Sequence, residues 1–100
     1  MEWYDTGIPA NAASPQRANL SGTPVILVHV DGTWLAVEDR CSHAGCAFSD
    51  DGEIDGQIAI CNCHGSEFDV RSGAVIAGPA DRPIRSYRTR QTGERLEVER

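Results

Sequence analysis

The chain has no lysine. All nine of its basic residues are arginine, and fifteen Asp and Glu outnumber them for a net charge of −6. No stretch concentrates the positive charge that phosphate binding needs, which argues against a nucleic-acid partner. No apolar run approaches the roughly 18 to 20 residues that span a bilayer. The N-terminal residues Met1-Glu2-Trp3-Tyr4-Asp5 lack the basic region and apolar stretch of a secretory signal. The expectation is a cytoplasmic chain with no membrane anchor. Helical periodicity, internal repeats and low-complexity tracts are missing, as are a Gly-rich phosphate loop and a nucleophile elbow. Nothing points to catalysis by this chain alone.

What is present suits one small domain. One hundred residues, 40% hydrophobic and 24% charged, allow a single modest core with little stability to spare. A bound group would then contribute to holding the fold together. The acidic balance favours a protein partner with a positive docking patch, although plain solubility accounts for it equally well.

The pattern along the chain is strand and turn. Pro24-Val25-Ile26-Leu27-Val28-His29-Val30 is a β-branched run suited to a buried strand. Asp31-Gly32 supplies a tight hairpin turn, and Thr33-Trp34-Leu35-Ala36-Val37 returns beside it. Asp55-Gly56 separates Ile54 from Ile58-Ala59-Ile60, Ser72-Gly73 separates Phe68-Asp69-Val70 from Ala74-Val75-Ile76, and Thr92-Gly93 separates residues 86–90 from 95–98. Strands so short and so spaced predict an all-β antiparallel sandwich or small barrel. Residues 7–17, with Pro9 and Pro15, read as a loop with at most one helical turn. The stretch from about 39 to 80 is rich in Cys, His, Gly and Asp. It reads as an insertion between strands of one basal β domain covering 1–100.

Two short segments carry the chemistry: Cys41-Ser42-His43-Ala44-Gly45-Cys46 and Cys61-Asn62-Cys63-His64-Gly65-Ser66. The pattern is Cys-x-His, seventeen intervening residues, then Cys-x-x-His. Thiolates and imidazoles at this spacing suit two loops converging on one metal. Zinc also takes Cys₂His₂ sets, but its fingers open with a Cys pair and close with a His pair, which mixed Cys/His segments fit poorly.

The pattern, with the flanking Gly65, Ser66, Phe68 and Asp69, resembles the Rieske [2Fe–2S] family. There two His replace two of the four Cys on one iron. The resemblance implies a Rieske-type β sandwich or barrel with an inserted cluster-binding subdomain and one [2Fe–2S] cluster. Cys41 and Cys61 would bind one iron. His43 and His64 would bind the other through Nδ1 and stand at the exposed tip. Replacing two anionic thiolates by neutral imidazoles lets the cluster accept an electron more readily. The class potential is roughly −150 to +300 mV against about −400 mV for plant-type ferredoxins.

The same resemblance gives the other residues their expected roles. High-potential Rieske proteins of cytochrome bc complexes bridge cysteines at the positions matching Cys46 and Cys63, although free thiols are the cytosolic default. A Cys46–Cys63 disulfide is therefore expected as a clasp across the loops. Ser66 matches a hydroxyl that donates to a bridging sulfide and raises the potential. Phe68 stands where those relatives carry Tyr, so an intermediate potential is expected. Gly78-Pro79-Ala80 resembles the proline loop that covers the cluster.

His29, Trp3, Trp34, Tyr4 and Tyr87 read as strand or core residues. The carboxylates Asp50, Asp51, Glu53 and Asp55 read as a solvated acidic loop near the metal segments, with docking as a second use. The resemblance implies a soluble, monomeric one-electron carrier, not an enzyme. It would pass electrons from an NAD(P)H-dependent flavoprotein reductase to a terminal oxygenase. A permanent subunit of a larger oxidoreductase, or a redox or iron sensor, are the alternatives.

Overall fold

The computed structural model describes residues 2–42, 45–63 and 65–100. The described residues form strands β1 (Trp3–Pro9), β2 (Gln16–Leu20), β3 (Thr23–Val30), β4 (Thr33–Glu38), β5 (Gly52–Asp55), β6 (Ile58–Cys61), β7 (Ser66–Asp69), β8 (Val75–Ala77), β9 (Ser86–Thr92) and β10 (Arg95–Glu99). A single helical turn, α1 (Phe48–Asp51), precedes β5. Every pairing is antiparallel, in two sheets ordered β1-β10-β9-β4-β3-β2 and β5-β6-β7-β8. The end strands β1 and β2 of the larger sheet are in contact, so it curls into a nearly closed barrel. The smaller sheet is inserted between β4 and β9. No helix among the described residues is long and apolar enough to cross a membrane.

The β3–β4 hairpin is the wall that both cores share. Its turn is Asp31-Gly32, as the sequence predicts, and Val30 pairs with Thr33. Side chains alternate across a strand, and here both faces are covered. Val25, Leu27, Trp34 and Ala36 pack inside the barrel with Leu96 and Val98. Ile26, Val28 and Val37 pack on the other side with Phe48, Phe68 and the two cysteines Cys41 and Cys61. This explains four consecutive buried residues, Val25 to Val28, in one strand. Arg71 fastens the sheets at their edges: its Nε donates to Gln57 Oε1 at 2.6 Å and its Nη2 to Asp31 Oδ2 at 3.1 Å.

One expectation fails. Residues 7–17 are not a single loop, because β1 continues to Pro9 and β2 begins at Gln16. The pairing that makes β1 a strand comes from the far end of the chain, where Trp3 stands opposite Glu99. Thr6 Oγ1 adds a hydrogen bond to the Leu96 carbonyl at 2.8 Å. A ladder irregularity between Asp5 and Pro9 breaks the local alternation that would have signalled the strand. Both prolines lie where a strand tolerates them, Pro9 at the end of β1 and Pro15 just before β2. His29 is an exposed residue of β3 whose ring lies 5.1 Å from that of Trp34.

Candidate metal centre

Two loops of matching build stand at the end of the second core. In the first, after β4, the Cys41 N–H donates to the Cys46 carbonyl at 2.8 Å, and the Gly45 N–H donates to the Cys41 carbonyl at 2.9 Å. In the second, Cys61 ends β6 and pairs with Ser66 at the start of β7. Here the Gly65 N–H donates to the Cys61 carbonyl at 2.7 Å. Each loop thus rises from a cysteine and closes through the glycine four residues later. Those glycines have φ of +73° and +83°, a region that side chains resist. His43 and His64 belong to these two segments by sequence and lie outside the described residues.

Cys41 and Cys61 are each only 1% exposed, held by the apolar cluster beneath the loops. Cys46 and Cys63 are joined by a disulfide with a Cα–Cα distance of 6.7 Å, within the ordinary range. The expected clasp is therefore present, and it joins one loop to the other. The sulfurs of Cys46, Cys61 and Cys63 all lie within 4.8 Å of one another. That trio is not itself a metal cage, because two of its sulfurs are bonded to each other and cannot act as thiolates.

Ser66 is fully buried and its Oγ accepts the Ala80 N–H at 3.0 Å. It thereby ties the Gly78-Pro79-Ala80 segment to the foot of the second loop. A hydroxyl that accepts still has a proton to donate, so the expected donor role stays open to it. Phe68 is fully buried and meets Phe48 edge-on, with ring centroids 5.7 Å apart. Pro79 is exposed and Ala80 buried, as suits a segment lying over the core.

Three supports escaped sequence reasoning. The buried Asp39 carboxylate accepts the Ser49 N–H at 3.0 Å and the Ser49 hydroxyl at 2.5 Å, tying the end of β4 to α1. The Ser42 hydroxyl donates to the Arg82 carbonyl at 2.6 Å, and Arg82 Nη2 returns to the Ser42 carbonyl at 3.1 Å. The Asn62 N–H donates to the Asp51 carbonyl at 2.9 Å, bracing the second loop on α1. Only Asp39, two residues before the first ligand segment, carried any local hint in the sequence.

A family model for the Rieske [2Fe–2S] domain matches residues 3–88. This chain belongs to the Rieske family. It is 34% identical over 79 residues to the ferredoxin component of the p-cumate 2,3-dioxygenase system of Pseudomonas putida, covering 79% of this chain and 67% of that one. The ferredoxin of carbazole 1,9a-dioxygenase from Nocardioides aromaticivorans IC177 superposes with a TM-score of 0.77 at 26% identity, covering 98% of this chain and 94% of that one. A chain from a complex of reduced oxygenase and oxidised ferredoxin in carbazole 1,9a-dioxygenase superposes with a TM-score of 0.81 at 25% identity, covering 91% of this chain and 96% of that one.

The cofactor of a Rieske domain is one [2Fe–2S] cluster, and the donor set here fits it. With Cys46 and Cys63 consumed by the disulfide, a four-thiolate cluster cannot form. Two buried cysteines remain, one at the base of each loop. Mixed thiolate and imidazole ligation meets that limit, because each segment also carries one histidine.

Proposed function

We propose that this chain is a one-electron carrier that takes an electron from an NAD(P)H-dependent flavoprotein reductase and delivers it to a terminal oxygenase. Cys41 and Cys61 would hold one iron and His43 and His64 the other, within a subdomain of about residues 39–80 of a single domain. The observation that carries this reading is the division of the cysteines, two bonded to each other across the loops and two buried at the loop bases. The likeness to ferredoxin components, over 79% of the chain in sequence and 98% in structure, supports the partner assignment.

When bound, the cluster supplies a single site that gains and loses one electron. The chain's residues do the rest. The buried cysteines anchor both loops in an apolar core, which limits rearrangement of the protein on electron transfer. The disulfide and the hydrogen bonds at Ser42, Asn62 and Ser66 hold the loops and the 78–80 segment in one arrangement. As the cluster's histidine ligands, His43 and His64 would carry the electron's route to a partner, which is what the family resemblance implies. The carrier acts as a cytoplasmic monomer, catalyses nothing by itself, and uses a weak interface suited to rapid exchange.

The reduced-state EPR spectrum of the purified protein tests the ligand set. A low average g value, lost in His43→Ala and His64→Ala, is expected; a spectrum of four-thiolate type would overturn it. Stopped-flow mixing with a flavoprotein reductase and NADH tests the carrier role. Fast cluster reduction on a monomeric protein supports it, and stable co-purification with one large partner overturns it.

A further inference from the structure

We propose that Cys61, Cys46 and Cys63 form a thiol–disulfide exchange site that disables the cluster-free protein. The inference rests on the ligand role given to Cys61 above. Three sulfurs within 4.8 Å of one another, two of them joined, are the reactants of an exchange reaction. A thiolate attacks one sulfur of a disulfide and expels the other. While the cluster is bound, Cys61 is committed to iron and the disulfide is safe. Once the cluster is lost, the same sulfur is a nucleophile beside an electrophile already held in place.

The step balances without an oxidant. Cys61 gives up its thiol proton and its Sγ attacks Cys46 Sγ. The Cys46–Cys61 bond forms, the Cys46–Cys63 bond breaks, and Cys63 leaves as a thiolate that takes up a proton. Attack on Cys63 instead would close a ring across Asn62 alone, and very short loops are strained closures. Attack on Cys46 keeps the two loops tied together, so the fold tolerates the product.

Burial decides which thiol reacts. Cys61 is 1% exposed, so external thiols and oxidants scarcely reach it, whereas the disulfide is a neighbour. Proximity of this kind gives an intramolecular reaction a large advantage over a bimolecular one. The product lacks a ligand: Cys61 is bonded to Cys46 and can no longer receive iron. Loss of the cluster would therefore be stored as a covalent change: Cys63 can reverse the exchange, so the empty site holds both disulfides, and the Cys46–Cys61 fraction is closed to iron until a reducing thiol or phosphine opens it. The clasp that steadies the loaded site becomes a lock on the empty one.

The test strips the cluster from purified protein with a chelator, anaerobically and without thiols. Samples are quenched over time in acidic denaturant, alkylated there with excess N-ethylmaleimide so that buried thiols are reached, and digested without reduction by an Asp-specific protease. Asp50, Asp51 and Asp55 separate Cys46 from Cys61 and Cys63, and peptide fragmentation locates the alkylated cysteine. Expected is a growing Cys46–Cys61 linkage with the label on Cys63 and Cys41. Cluster reloading with iron and sulfide should fall over the same period and return after treatment with a phosphine reductant. An intact Cys46–Cys63 bond with label on Cys61 at every time would overturn the proposal, as would undiminished reloading without reductant. Failure of the carrier reading is seen separately, in the EPR spectrum taken before the cluster is removed.

Discussion

Ser66 Oγ accepts the backbone N–H of Ala80 at 3.0 Å, and neither residue is open to solvent. One side chain at the foot of the second loop therefore fixes the Gly78-Pro79-Ala80 segment. Ser66→Ala would leave the Ala80 N–H buried without its partner, at a cost of about 1–3 kcal/mol. It would also remove the hydroxyl proton available to a bridging sulfide, so the reduced cluster loses stabilisation and the potential falls. Denaturant unfolding and a redox titration on one sample check both. A stability loss with an unchanged potential would confine Ser66 to the segment it holds.

The disulfide makes a different prediction because it acts on the unfolded chain. Cys46 and Cys63 are 17 residues apart, and cross-linking a loop of that size contributes about 3 kcal/mol in the chain-entropy account. Cys46→Ser and Cys63→Ser should each lower the unfolding midpoint by a similar amount and speed iron release to a chelator. Both variants also remove the exchange partner of Cys61. Equal iron-release rates in wild type and variants would show that the loops stay together without the clasp.

A third expectation concerns the barrel and pH. Glu97 stands opposite Arg90 across β9 and β10, where Arg90 Nε donates to Oε1 at 2.7 Å and Thr92 Oγ1 to the same oxygen at 2.9 Å. The Arg90 hydrogen bond first, and Thr92 second, hold this carboxyl below its ordinary value. A carboxylate depressed in the folded state contributes stability above its unfolded pKa, about 4.3, and loses it as pH falls through the folded value. An NMR titration of the Glu97 carboxyl should place its midpoint below the ordinary range. Arg90→Gln should return the midpoint toward that range. A Glu97 midpoint at the ordinary value would contradict the pairing.

The parts of this fold that could be read from sequence are those whose causes are local. The run from Val25 to Val28, the Asp31-Gly32 turn and the alternation after it determine a hairpin without reference to distant residues. The two metal segments are legible because ligand spacing is itself a local property. β1 and β2 are not, since the partner of Trp3 is Glu99 at the far end of the chain and β2 is held by β3 across Leu20 and Thr23. The bonds between Ser42 and Arg82 join residues 40 positions apart and leave no periodic trace. The disulfide was foreseen by likeness to relatives; chain spacing alone left two free thiols equally open.

Phe68 offers the sharpest test of how the site is tuned. Its ring is fully buried, edge-on to Phe48, on the strand that Ser66 begins. Phe68→Tyr adds one hydroxyl to an apolar interior, and the fate of that group separates two environments. If the ring's far edge faces the cluster, a sulfur there accepts the new hydrogen bond. The reduced, more negative state is then favoured, and the potential rises with little loss of stability. If it faces only hydrocarbon, the hydroxyl is buried without a partner and unfolding becomes easier by about 1–3 kcal/mol, with the potential unmoved. The first outcome is expected, because Phe68 shares its core cluster with both Cys41 and Cys61. Measuring potential and unfolding on the same variant decides between them, since no purely structural effect of the substitution raises the potential while leaving the fold as stable.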